Sequence, residues 1–422
     1  MDRRPGIFEK SFVILSLLYY CGSFLPQIEK HAGMIFDPAK QNPLSMAVSY
    51  PLYLIIILLI SRRAGDAFLL LKKEKFVACM IIIAAVSSIW SDFPMLTLRR
   101  SIGLIFPTFF AIYLVLNYSE KERLGLIATA LGIAGILSFI FAKFLPLYGL
   151  DSGAGYMVNA GAWRGIFEQK NELGNIMALS IVVFALLPVK GRKKQMARLG
   201  FVIFSFVLLL LSRSETSIMA IMIIAAMFPL LKSIRSPGPV RIFTYCFYTA
   251  IASVAAIWLY AGGMSSVFAA MGKNATFTGR TDIWTALTGF IKERPLLGYG
   301  YYAFWAGNID FVQHEVGWRV LDPHSGYLQL LLDFGFLGMA IWLTGFLRTA
   351  KNAVSKIRRG KDSFLALWPS IFLLFLVIPN FFESRLIENN SIGWLIYVSI
   401  AISPYVSKRA TECETICGAG GI

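Results

Sequence analysis

The chain has 422 residues, of which 57% are hydrophobic and only 15% charged, where a soluble domain carries about 25% charged residues. That balance excludes a globular domain on a single anchor and implies an all-α, polytopic membrane protein forming one membrane domain over residues 1–422. The net charge of +16 does not point to nucleic acid, because most of the lysines and arginines lie in short loops between apolar runs, where they set topology.

A membrane span needs about 20 apolar residues. The sequence predicts twelve spans, near 8–25, 46–61, 75–91, 98–117, 122–143, 172–189, 197–212, 214–231, 241–262, 324–347, 364–381 and 390–406. The first follows Arg3, Arg4 and Lys10 as a signal peptide would. No small-residue cleavage site follows it, so it reads as a retained span. The pair 197–212 and 214–231 is separated only by the turn around Arg213.

Lysine and arginine crowd alternate span ends: Arg62, Arg63, Lys72, Lys73 and Lys75; Arg192, Lys193, Lys194 and Arg198; Arg348, Lys351, Lys356, Arg358, Arg359 and Lys361. By the positive-inside rule these ends and both termini are cytoplasmic. That leaves Arg99, Arg100, Arg164, Arg213, Arg280, Arg319 and Arg385 on the outer face, where arginine is disfavoured. Cations at membrane depth are costly and usually mark an anionic substrate. The rigid guanidinium fork suits a phosphate or pyrophosphate.

The segment 263–323 is the largest outer loop. Its aromatic content argues for order, and 283–291 has the pattern of an amphipathic helix. A second outer segment, 144–170, is rich in glycine. The five cysteines make no framework. Cys413 and Cys417 are too isolated for a zinc site, and His31, His314 and His324 are too few for a multi-histidine metal centre. No metal site is expected.

Four outer-face constellations carry chemistry. Trp163-Arg164-Gly165 through Lys170-Asn171-Glu172-Leu173-Gly174 places cations, acids and an amide at a helix start, whose backbone N–H groups can receive an anion; the bland reading is an interfacial cap. Ser212-Arg213-Ser214-Glu215 forces Arg213 to the bundle top, as a ligand group or as part of a structural ion pair. In Gly279-Arg280-Thr281-Asp282-Ile283-Trp284, Asp282 either orients Arg280 or caps the following helix, the cap being favoured. In Asp322-Pro323-His324-Ser325, His324 opens the tenth span and suits a general base, although a lone histidine is more often structural.

Together these residues resemble the O-antigen ligase and polymerase superfamily of bacterial membrane proteins. His324-Ser325, nine residues, then Gly335-Phe336-Leu337-Gly338 matches the family's histidine segment, with Leu337 where the family often has threonine. Gly279-Arg280 through Trp284 and Pro295-Leu296-Leu297-Gly298-Tyr299-Gly300 resemble the stretch before it. Arg164-Gly165 with Lys170-Asn171, and Ser212-Arg213-Ser214, resemble the two earlier motifs. The run from Phe167 to Gly174 looks more like the succinoglycan-type exopolysaccharide polymerases.

The resemblance implies glycosyl transfer on the periplasmic face of the inner membrane, without metal, cofactor or nucleotide sugar. The donor would be an undecaprenyl-pyrophosphate-linked glycan and the acceptor a second glycan. Membrane lipids, a chain-length regulator and export proteins are the expected partners. Arg164, Arg213 and Arg280 would hold the pyrophosphate and His324 would take the acceptor's proton. Lys170, Asn171, Asp282, Arg319 and Arg100 would bind substrate. A ligase acting on lipid A core is the alternative within the superfamily. A lipid-linked oligosaccharide transporter is the alternative outside it, but the spans are nearly free of charge and no pairing of broken helices is evident.

Overall fold

The computed structural model describes residues 6–22, 43–153, 159–258, 280–318, 320–360 and 363–419. Fifteen helices of ten residues or more organise these residues. They are α1 Ile7–Tyr20, α2 Pro43–Ser61, α3 Ala64–Lys73, α4 Lys75–Val86, α5 Pro94–Asn117, α6 Glu120–Phe144, α7 Lys170–Leu186 and α8 Arg192–Leu211. There follow α9 Glu215–Ser233, α10 Gly238–Trp258, α11 Arg280–Glu293, α12 Phe304–Val316, α13 Gly326–Arg359, α14 Ser363–Val377 and α15 Ile392–Ala419. Among the described residues there is no strand, only an isolated bridge between Leu150 and Trp163. The protein is an all-α, polytopic membrane protein. Each of the twelve expected spans falls on a helix, and seven described helices are long and apolar enough to cross a membrane by length and composition.

The outward surface of these helices is itself apolar. Leu54, Leu58, Ile203 and Leu347 are each more than half exposed. In water such a surface would drive association; in a bilayer it is the lipid face. The inward surface is a continuous core containing Leu17, Ile56, Leu104, Phe110, Leu131, Met177, Phe372 and Trp394. Inside the bundle the polar contacts are short and local. Ser101 Oγ donates to the Ala84 carbonyl at 2.6 Å, Ser180 and Ser205 hydroxyls meet at 2.8 Å, and the Trp394 indole donates to Thr108 Oγ1 at 2.9 Å. Small polar side chains of this kind tie α4 to α5, α7 to α8 and α5 to α15 without burying a charge.

Polar side chains separate to the two ends. At one end Lys356 pairs with Glu120, Arg123 donates to Ser403 at 2.9 Å, Arg63 donates to the Leu116 carbonyl at 2.8 Å, and Arg348 lies over the rings of Phe76 and Tyr405. These are the cations that the charge pattern assigns to the cytoplasm. Arg164, Arg213, Arg280 and His324 gather at the other end.

Four features differ from the expectations. Residues 64–73, read as loop, form α3, whose last turn carries Lys72 and Lys73; the positive charges complement the carbonyl end of the helix. The outer segment contains a second helix, α12, besides the expected α11. The two pack through their own small core of Ile283, Leu287, Tyr299, Phe304, Trp305, Val312, Val320 and Leu332. The part of that segment at 263–279 lies outside the described residues. His324 does not start the tenth helix: it precedes Ser325, whose hydroxyl caps the helix by accepting from Leu328 N–H.

The fourth difference is that α13 is broken at Gly335, with φ 61° and ψ −161°. In an unbroken helix the Phe336 and Leu337 N–H groups would bond the Leu332 and Asp333 carbonyls. All four groups are instead taken by one incoming segment. Phe336 N–H donates to Pro295 O at 2.7 Å and Leu337 N–H to Leu296 O at 3.2 Å. Tyr299 N–H donates to Leu332 O at 2.7 Å and Gly300 N–H to Asp333 O at 3.1 Å. The fit requires glycine on both sides. A Cβ at Gly335 would lie 2.4 Å from the Leu296 carbonyl, and one at Gly298, also at positive φ, 2.4 Å from Leu332 O. The glycines of the two motifs are thus two halves of one backbone joint. Gly335→Ala is expected to cost at least about 2 kcal/mol of stability, from the left-handed φ plus the clash. Thermal unfolding in detergent checks this, and an unchanged midpoint would deny the joint its importance.

Candidate active site

Three of the motifs converge on the loop between α14 and α15. Four consecutive residues of this loop meet three of the four motifs. The Arg280 guanidinium lies 5.6 Å from the centre of the Phe382 ring. Asn171 Nδ2 donates to Glu383 Oε1 at 3.2 Å. Ser384 Oγ donates to Asp322 Oδ1 at 2.7 Å and accepts from Ser325 N–H at 3.1 Å. Arg385 pairs with Glu172 at 3.6 Å and with Glu388 at 3.8 Å.

His324 sits in a tight turn at φ 47°, a conformation that costs a residue with a Cβ energy and clusters at functional sites. Asp322 Oδ1 accepts the His324 backbone N–H at 2.7 Å and lies 3.5 Å from Nδ1 of the same residue. The imidazole stacks on Trp318, centroids 6.5 Å apart and planes at 17°. Trp284, one turn after Arg280 on α11, donates its indole N–H to the Pro323 carbonyl at 3.0 Å. That bond joins the arginine motif to the histidine motif.

The start of α7 supplies three successive half-buried side chains. Lys170 Nζ donates to the Arg213 carbonyl at 3.3 Å, Asn171 reaches Glu383, and Glu172 reaches Arg385. Arg213 is exposed, at φ 51°, and its Nη1 donates to Ala160 O at 3.4 Å. Arg100 lies 5.6 Å from the Tyr302 ring centre. The Tyr302 N–H donates to buried Asp333 Oδ1 at 2.9 Å, and Gln329 donates to the same oxygen at 2.8 Å.

Three expected residues stand differently. Arg164 is buried and donates to the Tyr148 and Leu147 carbonyls at 2.9 and 3.2 Å, capping a single helical turn at Pro146–Gly149. Burial holds its guanidinium below the usual arginine range, with Asp151 and Glu168 opposing. It makes none of the contacts that join the other motifs to the loop. Asp282 lies inside the first turn of α11 rather than at its cap. There a carboxylate still favours the helix N-terminus, and the side chain is exposed. Arg319 lies outside the described residues.

The loop also carries residues that the motifs did not point to: Glu383, Ser384, Arg385 and Glu388, with Asp322 opposite. Burial pushes the Glu383 and Glu388 carboxyls above their ordinary range, and Arg385 pulls each back. Burial alone would lower Arg385; Glu388, Glu172 and Glu383 outweigh it and hold the guanidinium above its usual value. A signal existed in the sequence. Three charges within six residues between two apolar spans are unusual, and Arg385 was already among the outer-face arginines. Among the described residues no group of acidic, histidine or cysteine side chains is arranged to hold a metal ion.

Residues 200–343 match the O-antigen ligase family. The matched stretch contains Arg213, Arg280, His324 and the Gly335 break. The chain is also 27% identical over 338 residues to the exopolysaccharide production protein ExoQ of Rhizobium meliloti (strain 1021), covering 76% of this chain and 74% of the relative. The likeness to the O-antigen ligase and polymerase superfamily, on its exopolysaccharide side, stands. The segments that resemble the superfamily's histidine segment and the arginine before it are brought together here by α11, α13 and the last loop.

The carboxylates around Arg385 carry a stability consequence. Without the arginine, Glu172, Glu383 and Glu388 would face one another with no central cation. Arg385→Met is expected to cost about 1–3 kcal/mol, the lower end reflecting partial exposure. A carboxyl whose folded pKa is raised loses stability as pH rises through that value. The deficit should therefore be larger at about pH 8 than at about pH 5, as measured by thermal unfolding. A deficit that grew towards acid would contradict the carboxylate cage.

Proposed function

We propose that the protein is a polysaccharide polymerase. It joins undecaprenyl-pyrophosphate-linked repeat units on the periplasmic face of the bacterial inner membrane. The observation that carries this reading is the placement of His324, braced by Asp322, beside Arg280 and the last loop at the end of the bundle away from the lysine-rich end. The likeness to an exopolysaccharide production protein supports polymerase over ligase.

A hydroxyl of the acceptor sugar attacks the anomeric carbon of the donor. The bond from that carbon to the pyrophosphate oxygen breaks, and the lipid pyrophosphate leaves with the electron pair. The hydroxyl proton passes to His324. With Asp322 at Nδ1, the ring presents Nε2 to take it, the orienting logic of a carboxylate–histidine pair. Negative charge gathers on the leaving pyrophosphate, so fixed guanidinium groups stabilise the transition state more than the ground state. Arg280 and Arg213 fill that role, with Lys170, Arg100 and Arg319 contributing to the field. Asn171 and Asp282 bind substrate hydroxyls. Arg164 acts indirectly, by fixing the single turn at Pro146–Gly149 that follows α6. The resemblance assigns the reaction no metal.

The deciding reaction mixes purified protein with a lipid-pyrophosphate-linked repeat unit. Products growing by one repeat are expected, falling roughly a hundredfold or more with His324→Ala and at least about tenfold with Arg280→Lys, because a point charge does not replace a bidentate fork. Transfer only when lipid A core is added would make the protein a ligase. No new glycosidic bond with either acceptor would sink the enzyme reading in favour of transport. For the topology, a reporter fused after Gly272 should be exported and one after Arg358 retained; the reverse would move the site to the cytoplasm.

A further inference from the structure

We propose that Ser384 is a positioning residue for His324, acting through Asp322; the inference rests on the reading of His324 as the general base. His324 is bracketed by Asp322 two residues before and Ser325 one residue after, and a single hydroxyl from the far loop holds both. Ser384 Oγ donates to Asp322 Oδ1 at 2.7 Å and accepts from Ser325 N–H at 3.1 Å. The same Asp322 oxygen accepts the His324 backbone N–H at 2.7 Å and faces Nδ1 at 3.5 Å.

The chemistry at position 384 must be that of a hydroxyl, because the one atom both donates and accepts. Alanine would release both sides. Asp322 would lose one of the two hydrogen bonds that fix its carboxylate, and the strained turn at His324 would lose its anchor at Ser325. The far face of the turn is held separately, by Trp284 on the Pro323 carbonyl and by Trp318 on the imidazole. Removing Ser384 therefore loosens the orientation of the ring without dissolving the turn. Ser384 lies outside the stretch that matches the O-antigen ligase family; it is brought in by the loop that follows α14.

The test is a double-mutant cycle in the repeat-unit extension assay with the full-length protein. Ser384→Ala is expected to lower kcat about 10- to 100-fold, with KM for the lipid-linked donor changed less than about threefold. Ser384→Thr, which keeps the hydroxyl, should recover most of the rate. On the residual rate of His324→Ala, adding Ser384→Ala should cause no further loss, since a residue acting through another has nothing left to position. Equal losses in both backgrounds, or wild-type kcat in Ser384→Ala, would overturn the proposal. Should the alanine variant not fold, Ser384→Cys keeps the volume with a weak donor and carries the same cycle. Wild-type rate in His324→Ala alone would instead overturn the general-base reading itself, so the two failures are distinguishable.

Discussion

The joint between Pro295–Gly300 and the break in α13 is the constraint on which the rest depends. An interrupted helix leaves two N–H groups and two carbonyls without partners, and in an apolar surround each such group is costly. Here all four are satisfied by one segment, and that segment carries the outer helices α11 and α12 on either side. The break thereby fixes the outer layer to the bundle by backbone geometry rather than by side-chain contacts alone. It also places Tyr302 over Asp333 and sets the short first half of α13, whose N-terminus presents Asp322, His324 and Ser325 to the last loop.

Charge balance follows from that arrangement. Cations gathered at one end of the bundle, as the proposed pyrophosphate site requires, repel one another unless anionic groups lie between them. The loop after α14 supplies Glu383 and Glu388, α7 supplies Glu172, and together they enclose Arg385. Arg385 is therefore balanced by carboxylates, whereas Arg280 lies over an aromatic ring and Arg213 donates to a backbone carbonyl. A phosphate-sized anion entering there competes with carboxylates for arginine, so its binding depends on geometry as well as on charge. Fixed forks such as Arg280, held over Phe382, suit that competition better than flexible ammonium groups.

The helices were legible because hydrophobic length is a strong signal, and each of the twelve expected spans overlaps a described helix, seven of which are long and apolar enough to cross a membrane. Helix α3 was not, because its ten residues are too few to stand out beside flanking lysines. The motifs of His324, Arg280 and Lys170-Asn171 were legible as residues, and their convergence on one loop is a tertiary fact. Ser384 is a small polar residue in a loop, and nothing local separates it from any other serine. Its partners lie about 60 positions away in sequence. Arg164 shows the opposite failure. Its motif was conspicuous, yet the structure turns its guanidinium inward onto two carbonyls, which no spacing rule distinguishes from a ligand contact.

The distribution of buried charge bears on synthesis against passage. Among the described residues the buried charged side chains are Glu74 and Arg123 near one end and Arg164 and Asp333 near the other. Between them the bundle interior holds serine and threonine hydroxyls that mostly return to a nearby carbonyl, as Ser101 and Thr108 do. A headgroup as polar as a pyrophosphate-linked sugar would need groups along its whole path to replace lost water. The single break in α13 has no counterpart elsewhere among the described helices, whereas alternating access commonly draws on related breaks in two repeats. Its freed backbone is closed by protein rather than lining an aqueous passage. The architecture therefore concentrates its polar chemistry at one surface, as a bond-forming enzyme with membrane-bound substrates requires.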